Sequence, residues 1–294
     1  MRILVVGATG FVGSRLVKAC AERGHDVVAF SRSVNRASLP ESVEPFEGNL
    51  DDLDSLTDLC SGVDVAYYLI HSLTASDFAE RDRRYARRFR DLASAAGVDR
   101  VVYLGGISGD DVDLSPHLKS RREVESVLVE GAYDLTVLRA AVIIGSGSAS
   151  FRILDDLTDR LPVMVVPKWV HTPCQPIGIR DAITYLVEIL DEDATRGETY
   201  DIGGPSTWSY ESLLRLTAEQ KGKRVYIVTV PVMTPELSSQ WLRLTTEVEY
   251  AVARSLAESM RNPVTVRAGH DLQSVVPITQ TPIEGAVRDA LDEA

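Results

Sequence analysis

Three glycines spaced three residues apart, directly after the first apolar run, constrain the fold of this chain more than any other feature. Ile3 to Val6 has the composition of a buried parallel strand, and Gly7, Gly10 and Gly13 follow it. Apolar residues then recur with helical spacing until Gly24. A strand, a glycine turn and a helix in this order form the context that a dinucleotide-binding motif requires. The pattern therefore predicts a nucleotide site; the alternative is an ordinary strand–helix turn that is rich in glycine.

Each glycine has a separate task in such a turn. Gly7 permits the tight turn, Gly10 lets the backbone approach a pyrophosphate, and Gly13 lets the helix pack close to the strand. The helix N-terminus then presents its free N–H groups to the phosphates. The residues that we expect to bind the cofactor here are Gly7, Thr9, Gly10, Phe11, Val12 and Gly13.

Strand and helix patterns alternate through the first half of the chain. Strands are predicted at 27–30, 43–46, 63–70, 100–104 and 135–138, and helices at 53–60, 75–96 and 116–129. Such alternation predicts an α/β fold, a Rossmann-type doubly wound parallel sheet with helices on both faces.

The regular alternation of strand and helix patterns is lost after Ala140. Helices are predicted at 151–160, 180–190, 209–221, 235–245, 247–260 and 282–291, and short strands at 161–166, 175–179 and 198–202. We expect residues 1–150 to form the NAD(P)-binding Rossmann core. Residues 151–294 should form a small discontinuous C-terminal lobe, which carries the substrate or acts as a lid and sends segments back to the core.

Composition narrows the class of protein. The net charge of −12 argues against non-specific binding to nucleic acid. Five lysines among 31 basic residues fit either a salt-loving microbe or a GC-rich genome, and the sequence leaves both open.

No apolar run approaches the roughly 18 residues of a membrane span, and Met1-Arg2 leads into the first strand without a signal peptide. Because the three cysteines form no metal-ligand pattern, free thiols in a reducing cytoplasm are expected, without a metal site.

The end of the second strand bears on the choice of nucleotide. An NAD site usually places an acid there, about 20 residues beyond the glycines, to hold the ribose 2′-OH. This strand ends in Ser31-Arg32, a hydroxyl and a guanidinium that suit a 2′-phosphate. NADP is therefore favoured as cofactor, with NAD as the alternative; Arg36 is a further candidate contact. The remaining expected cofactor contacts, which follow the third and fourth strands, are Asn49, Leu50, Leu69, Ile70 and His71.

The glycine spacing resembles that of the short-chain dehydrogenase/reductase superfamily, in its extended and atypical branches. Gly48-Asn49-Leu50 is similar to the adenine motif of that superfamily, with Asn in place of Asp. Residues 65–72, 100–106 and 114–121 are similar to the NmrA-like and YbjT-like group, and residues 138–148 to the loop over the nicotinamide. Residues 177–181 resemble the motif that returns the chain to the sheet. The resemblance covers about residues 1–230, and loosely the rest of the chain, and it implies the fold and a nicotinamide cofactor rather than a reaction.

The chain departs from this superfamily at the catalytic positions. Active members use a Tyr as general acid/base, with a Lys four residues later that lowers its pKa. Here His117 takes the Tyr position and Arg121 the Lys position. Gly105 or Gly106 stands where a Ser is expected, and Ser108 lies a little beyond.

Several hypotheses follow from this substitution. In the first, His117, with a pKa of about 6.5, protonates a carbonyl and Arg121 stabilises the oxyanion. In the second, the chain is a non-catalytic NADP(H)-sensing regulatory or assembly module, as in the regulatory NmrA-like proteins. In the third, other residues of the pocket carry the chemistry. A nucleotide-sugar epimerase or dehydratase is disfavoured because it would need the Tyr–Lys pair.

The second half of the chain supplies an expected apolar pocket. Its expected lining is Phe151, Leu154, Val170, Trp208, Trp241 and Leu242, with Trp169 and His171 in a loop near the nicotinamide. The alternative is that these side chains fill a core. An apolar pocket favours an NADP-dependent reductase of a small or hydrophobic carbonyl, enone or quinone. The identity of the substrate is not predicted, and either a homo-oligomer or a protein partner is compatible with the sequence.

Overall fold

A seven-stranded parallel sheet organises the chain. The computed structural model describes residues 1–33, 39–52, 56, 58–72, 77–109, 114–230 and 248–293. The strands of the sheet are β1 (Arg2–Val6), β2 (Asp26–Ser31), β3 (Val43–Glu47), β4 (Val65–Tyr68), β5 (Arg100–Gly106), β6 (Asp134–Ala140) and β7 (Thr199–Ile202). Their order is β7-β6-β5-β4-β1-β2-β3, and every neighbouring pair is parallel. The expected Rossmann-type doubly wound fold is confirmed.

Helices cover both faces of this sheet, because alternate residues of each central strand point to opposite faces. In β1, Ile3 and Val5 pack with the side chains of α1 (Phe11–Glu22) and α5 (Ile179–Glu188). Leu4 and Val6 pack with those of α2 (Phe78–Ala96) and α3 (Pro116–Leu128). The four apolar residues of β1 are fully buried, as a central parallel strand requires.

The second half of the chain builds a separate apolar cluster beside the sheet. It contains side chains of α4 (Ala149–Arg160), α6 (Tyr210–Gln220), α7 (Tyr250–Ser259) and α8 (Ile283–Asp292). A parallel strand pair, Val163–Pro167 with Tyr226–Val230, joins them. The second strand of this pair was not predicted from the sequence.

Several boundaries differ from the expected ones. The fourth strand is shorter than predicted and ends at Tyr68, and the predicted strand at 175–179 is reduced to Ile177–Gly178. The predicted helix at 235–245 and half of the one at 53–60, residues 53–55 and 57, lie outside the described residues, as does Arg36. Among the helices that the structure describes, none is long and apolar enough to cross a membrane.

The topology determines where a ligand can bind. The strand order reverses between β1 and β4, since β1 continues to β2 on one side while β4 continues to β5 on the other. Ligands of open parallel sheets bind beyond the carboxyl ends of the strands at such a switch point. The glycine turn after β1 lies at this point.

Candidate functional site

The turn between β1 and α1 is built on glycine geometry. Gly7 has φ +96°, a conformation that favours glycine. Its N–H donates to the Phe30 carbonyl at 3.0 Å, and its own carbonyl accepts the Gly10 N–H at 3.0 Å. The turn is thereby joined to β2, the strand that precedes Ser31 and Arg32.

Gly13 sets how closely α1 approaches this turn. A Cβ atom at Gly13 would lie 2.2 Å from the Gly7 carbonyl oxygen and 3.1 Å from the Ala8 Cα. Both contacts are with backbone, so a side chain at this position would push the helix away from the strand.

The N-terminus of α1 is suited to an anion. The first hydrogen bond within the helix runs from the Ser14 N–H to the Gly10 carbonyl, so the N–H groups of Phe11, Val12 and Gly13 are not used inside the helix. Gly10 is exposed, and the first turn of α1 contains no acidic residue. Glycine backbone and free N–H groups at a helix N-terminus are the donor set that fits a pyrophosphate.

A cleft of about 490 Å³ extends from this turn toward the second apolar cluster. Its walls come from the ends of β1, β4, β5 and β6, from α3 and from the region of α7. The lining residues in the described part of the chain are Gly7, Gly10, Phe11, Val12, Gly13, Leu69, His71, Leu104, Gly105, Gly106, Ile107, His117, Leu118, Arg121, Ala140, Ala141, Val142, Ile143, Gly147, Ser148, Ala149, Ser150, Tyr210, Val252, Leu256, Ser259, Met260 and Val264.

The structure brings many of the expected site residues into this cleft. Of the expected cofactor contacts, those that line it are Gly7, Gly10, Phe11, Val12, Gly13, Leu69 and His71. Both expected catalytic residues, His117 and Arg121, line it as well. Those that stand outside its lining are Thr9, Ser31, Arg32, Asn49, Leu50 and Ile70.

Thr9 and Ser31 form a small polar platform beside the cleft. Their hydroxyl oxygens lie 2.7 Å apart, and Arg32 is exposed next to them. The register of the sheet places Glu47, the last residue of β3, opposite Ser31. The sequence did not predict this carboxylate, because its position opposite Ser31 depends on the register between β2 and β3.

Asn49 and Leu50 have structural roles. The Asn49 Oδ1 accepts the Asp51 N–H at 3.1 Å, which closes a local turn. The Leu50 side chain is 2% exposed and packs in the core. The Leu50 side chain is therefore not accessible to a ligand.

Local capping explains how α3 brings His117 and Arg121 to the cleft. The Ser115 Oγ accepts the Leu118 N–H, and Pro116 occupies the first helical position. Residues four apart share one helix face, so His117 and Arg121 both point to the ends of the strands. The Arg121 Nη1 donates to the Ile70 carbonyl over 3.5 Å, which places it next to His71.

Both histidines of the cleft are held in the neutral form. Desolvation, reinforced by the positive charge of Arg121, lowers the pKa of His117 to about 3. The His71 ring is accessible from the cleft, yet the surrounding protein desolvates it and Arg121 repels its charge, which holds its pKa well below 6.5. The expected pKa of His117 near 6.5 is therefore not what the structure gives, because the sequence could not show this burial.

The position of the missing serine offers no replacement proton donor. Gly105 and Gly106 line the cleft without side chains. Ser108 is buried, and its Oγ accepts from the Arg122 Nε at 2.9 Å. Its hydroxyl is thus engaged by α3 outside the lining of the cleft.

A buried carboxylate stands behind the cleft. Asp82 on α2 is 2% exposed, and its Oδ1 has no hydrogen-bond partner. Burial raises the pKa of Asp82, and the nearby charge of Arg121 offsets this in part. In the described part of the chain the two groups do not form an ion pair.

The apolar lining differs from the expected one. Phe151, Leu154 and Val170 are buried in the second apolar cluster, and Trp208 packs against it. Trp169 packs edge-to-face on Tyr210, and His171 pairs with Glu211 at 3.1 Å. None of these six belongs to the lining of the cleft among the residues described. Trp241 and Leu242 lie outside the described residues.

The apolar wall is instead built by α7 and the turn after it. Val252, Leu256 and Met260 recur at a spacing of four, and Val264 and Tyr210 extend the wall. Their spacing in the sequence signals a buried helix face, but it does not indicate that this face borders a cleft.

Comparisons with known proteins agree with this geometry. The model of a family described as NAD(P)H-binding matches residues 7–159, a little over half of the chain. The photosystem II assembly factor Ycf39 of Synechocystis sp. is 21% identical over 238 residues, which cover 79% of this chain and 71% of that protein.

Solved structures share the fold over nearly the whole chain. Triphenylmethane reductase of Citrobacter sp. in complex with NADP(H) superposes with a TM-score of 0.80 at 19% identity, covering 99% of this chain and 100% of that one. MoeE5 in complex with UDP-glucuronic acid and NAD gives a TM-score of 0.74 at 20% identity, covering 99% and 98%.

Proposed function

The chain belongs to the NAD(P)H-binding family, in its NmrA-like branch of atypical short-chain dehydrogenase/reductases, and on that premise we propose an NADP-dependent reductase of a small or hydrophobic carbonyl, enone or quinone. One observation carries the proposal. The glycine turn, an apolar wall and the Arg121 guanidinium all line one cleft. Residues 1–150 would hold the cofactor, and residues 151–294 would form the substrate lobe, with β7 returning to the sheet.

The residues present fit a nicotinamide nucleotide. Gly7, Gly10 and Gly13, with the N-terminus of α1, would hold the pyrophosphate. Thr9, Ser31 and Arg32 would meet the adenosine ribose and its phosphate. The remaining proposed contacts are Phe11, Val12, Asn49, Leu50, Leu69, Ile70 and His71. When bound, the cofactor supplies a hydride.

The chain's own groups would then act on the substrate oxygen. Arg121 is positioned to stabilise negative charge, as preorganised donors do in a water-poor site. His117 is neutral at physiological pH, so it would donate a hydrogen bond through its ring N–H and would not act as a general acid. The product oxyanion would take its proton from water. Quinones and enones, whose reduced forms are delocalised anions, suit such a site better than isolated ketones.

The choice of NADP rests on Ser31 and Arg32, while Glu47 opposite Ser31 is the feature that would favour NAD. We expect Arg32→Ala to weaken NADPH binding by about 10- to 100-fold, the effect of one hydrogen bond to a charged group. NADH binding should change less than about 3-fold. The measurement is isothermal titration calorimetry of both nucleotides. Arg87→Ala, which removes an exposed arginine of α2, is the control.

Tighter binding of NADH than of NADPH by the unmodified chain would refute the choice of NADP. Turnover is tested separately by NADPH oxidation with a panel of quinones, enones and aldehydes. Tight NADPH binding with no acceptor reduced would refute the reductase.

A non-catalytic module that reads NADP(H) is the second candidate. It is favoured by the two neutral histidines, which leave the cleft without an ordinary proton donor, and by the similarity to an assembly factor. In that case His117→Ala would leave biological function intact while Gly10→Glu would destroy it. A nucleotide-sugar epimerase remains disfavoured, because His117 and Arg121 stand where its Tyr and Lys would be required.

A further inference from the structure

The charge of the cleft is opposite to that of the chain. The net charge is −12, yet none of the described residues that line the cleft is an Asp or Glu. With both histidines neutral, Arg121 is the single charged side chain among those lining residues. In an acidic protein, a cleft that exposes one cation and no carboxylate is electrostatically matched to an anion.

The Arg121 guanidinium retains most of its hydrogen-bonding capacity. It is 8% exposed, and the hydrogen bond that it forms within the described chain, to the Ile70 carbonyl, is long at 3.5 Å. An arginine has five N–H donors, so a buried guanidinium with one weak bond can donate to a further partner. Asp82 lies behind it, outside the lining, and does not form an ion pair with it among the described residues.

The wall beyond Arg121 is apolar and extended. Val252, Leu256 and Met260 lie on one helical face, and the eight-residue separation of the first and last corresponds to about 12 Å along the helix. Leu118 and Val264 close this space. Its length suits two fused aromatic rings or a medium-length alkyl chain.

We infer that the cleft binds molecules in which an ionised oxygen group is attached to an apolar body. The oxyanion contacts Arg121 between His71 and His117, and the body lies along Val252, Leu256 and Met260. This inference rests on the proposed function only in assigning the glycine end of the cleft to the nucleotide. The ligands of this class are apolar acids, such as aryl or acyl carboxylates and acidic phenols. In a reductase they would take the place of the anion that hydride transfer produces, because a carboxylate does not itself accept a hydride.

The test compares two ligands of equal size on the full chain. The affinities of 2-naphthoate and its neutral amide, 2-naphthamide, are measured by calorimetry with and without saturating NADPH. We expect 2-naphthoate to bind at least tenfold more tightly, and this preference to shrink in high salt. Equal affinity for the two ligands would overturn the inference, and this comparison requires no variant.

Variants then assign the preference to Arg121. Arg121→Gln should abolish it, and Arg121→Lys should restore part of it. Lys119→Gln removes an exposed cation from the same helix and should leave the preference unchanged. A full preference in Arg121→Gln with native circular dichroism would overturn the assignment.

The two proposals fail in different ways. Binding of NADPH without a preference for 2-naphthoate overturns the inference alone. A preference for 2-naphthoate in a chain that binds neither NADPH nor NADH overturns the proposed function alone.

Discussion

Replacing Gly13 with alanine tests the geometry on which the nucleotide site depends. The added methyl group would lie 2.2 Å from the Gly7 carbonyl oxygen, whereas real Cβ contacts essentially never fall under 3.0 Å. The helix and the turn must therefore separate by about 1 Å, a form of overpacking that costs about 3 kcal/mol. The Gly7 carbonyl also accepts the Gly10 N–H, and loss of that bond costs about 1 kcal/mol more.

A gain in helix propensity opposes this cost. Alanine is favoured over glycine inside a helix by about 1 kcal/mol, so Gly13→Ala should lower the free energy of unfolding by about 3 kcal/mol. For a chain of this size, that corresponds to a midpoint about 6–10 °C lower. The assay is thermal unfolding followed by circular dichroism without nucleotide, together with urea unfolding.

Gly285→Ala is the matched control. Gly285 lies in α8, where a Cβ would lie 3.2 Å from the Thr281 Cγ2, a longer distance than at Gly13 and to a side-chain methyl group rather than to backbone. Its midpoint should stay within about 3 °C of the unmodified chain. A Gly13→Ala chain as stable as the unmodified one would show that α1 does not approach the turn as closely as described.

Two further predictions concern buried titratable groups. Burial raises the pKa of Asp82 in the folded chain, so stability falls as the pH rises from about 3.8 through that raised pKa. The Asp82→Asn chain, which has no charge to desolvate at this position, should therefore be more stable at pH 7 by on the order of 1 kcal/mol. Urea unfolding at a series of pH values should show this gain in stability disappear toward pH 4. A gain in stability that grows at low pH would contradict the prediction. Burial raises the pKa of Cys20, Cys60 and Cys174 to about 12. The native chain should therefore not react with a disulfide reagent at pH 8, whereas the urea-unfolded chain should react at all three cysteines. Rapid labelling of the native chain would contradict the burial of these thiols.

The central sheet was predictable because its signals are local. The strand, turn and helix around Gly7 to Gly13 follow from apolar runs and glycine spacing, and both act over a few residues. The strand at Tyr226–Val230 was missed for the opposite reason. It is half exposed and pairs with a strand about sixty residues earlier, so no local burial pattern marks it.

The sequence predicted that His117 and Arg121 lie together, but not their chemical environment. Both residues line one cleft in the structure, and their catalytic role stays a prediction. The pKa of His117 depends on how many atoms surround it, and that number is set by elements remote in sequence. The apolar wall shows the same limit, because Trp208 and Leu256 are equally apolar in sequence and only the packing of α7 decides which of them meets the cleft.

Replacement of the superfamily's Tyr by His117 and of its Lys by Arg121 has different consequences at the two positions. Arg121 keeps a permanent positive charge where the superfamily has Lys, so the stabilisation of a negative oxygen is retained. His117 occupies the Tyr position with a pKa of about 3, so the ability to deliver a proton near neutral pH is lost. A ligand that is already anionic, or that becomes a stable anion on reduction, needs only the positive charge of Arg121 and no proton donor. The reductase and the sensor hypotheses therefore predict the same binding chemistry at Arg121, and they differ solely in whether that anion is made in the cleft or arrives there.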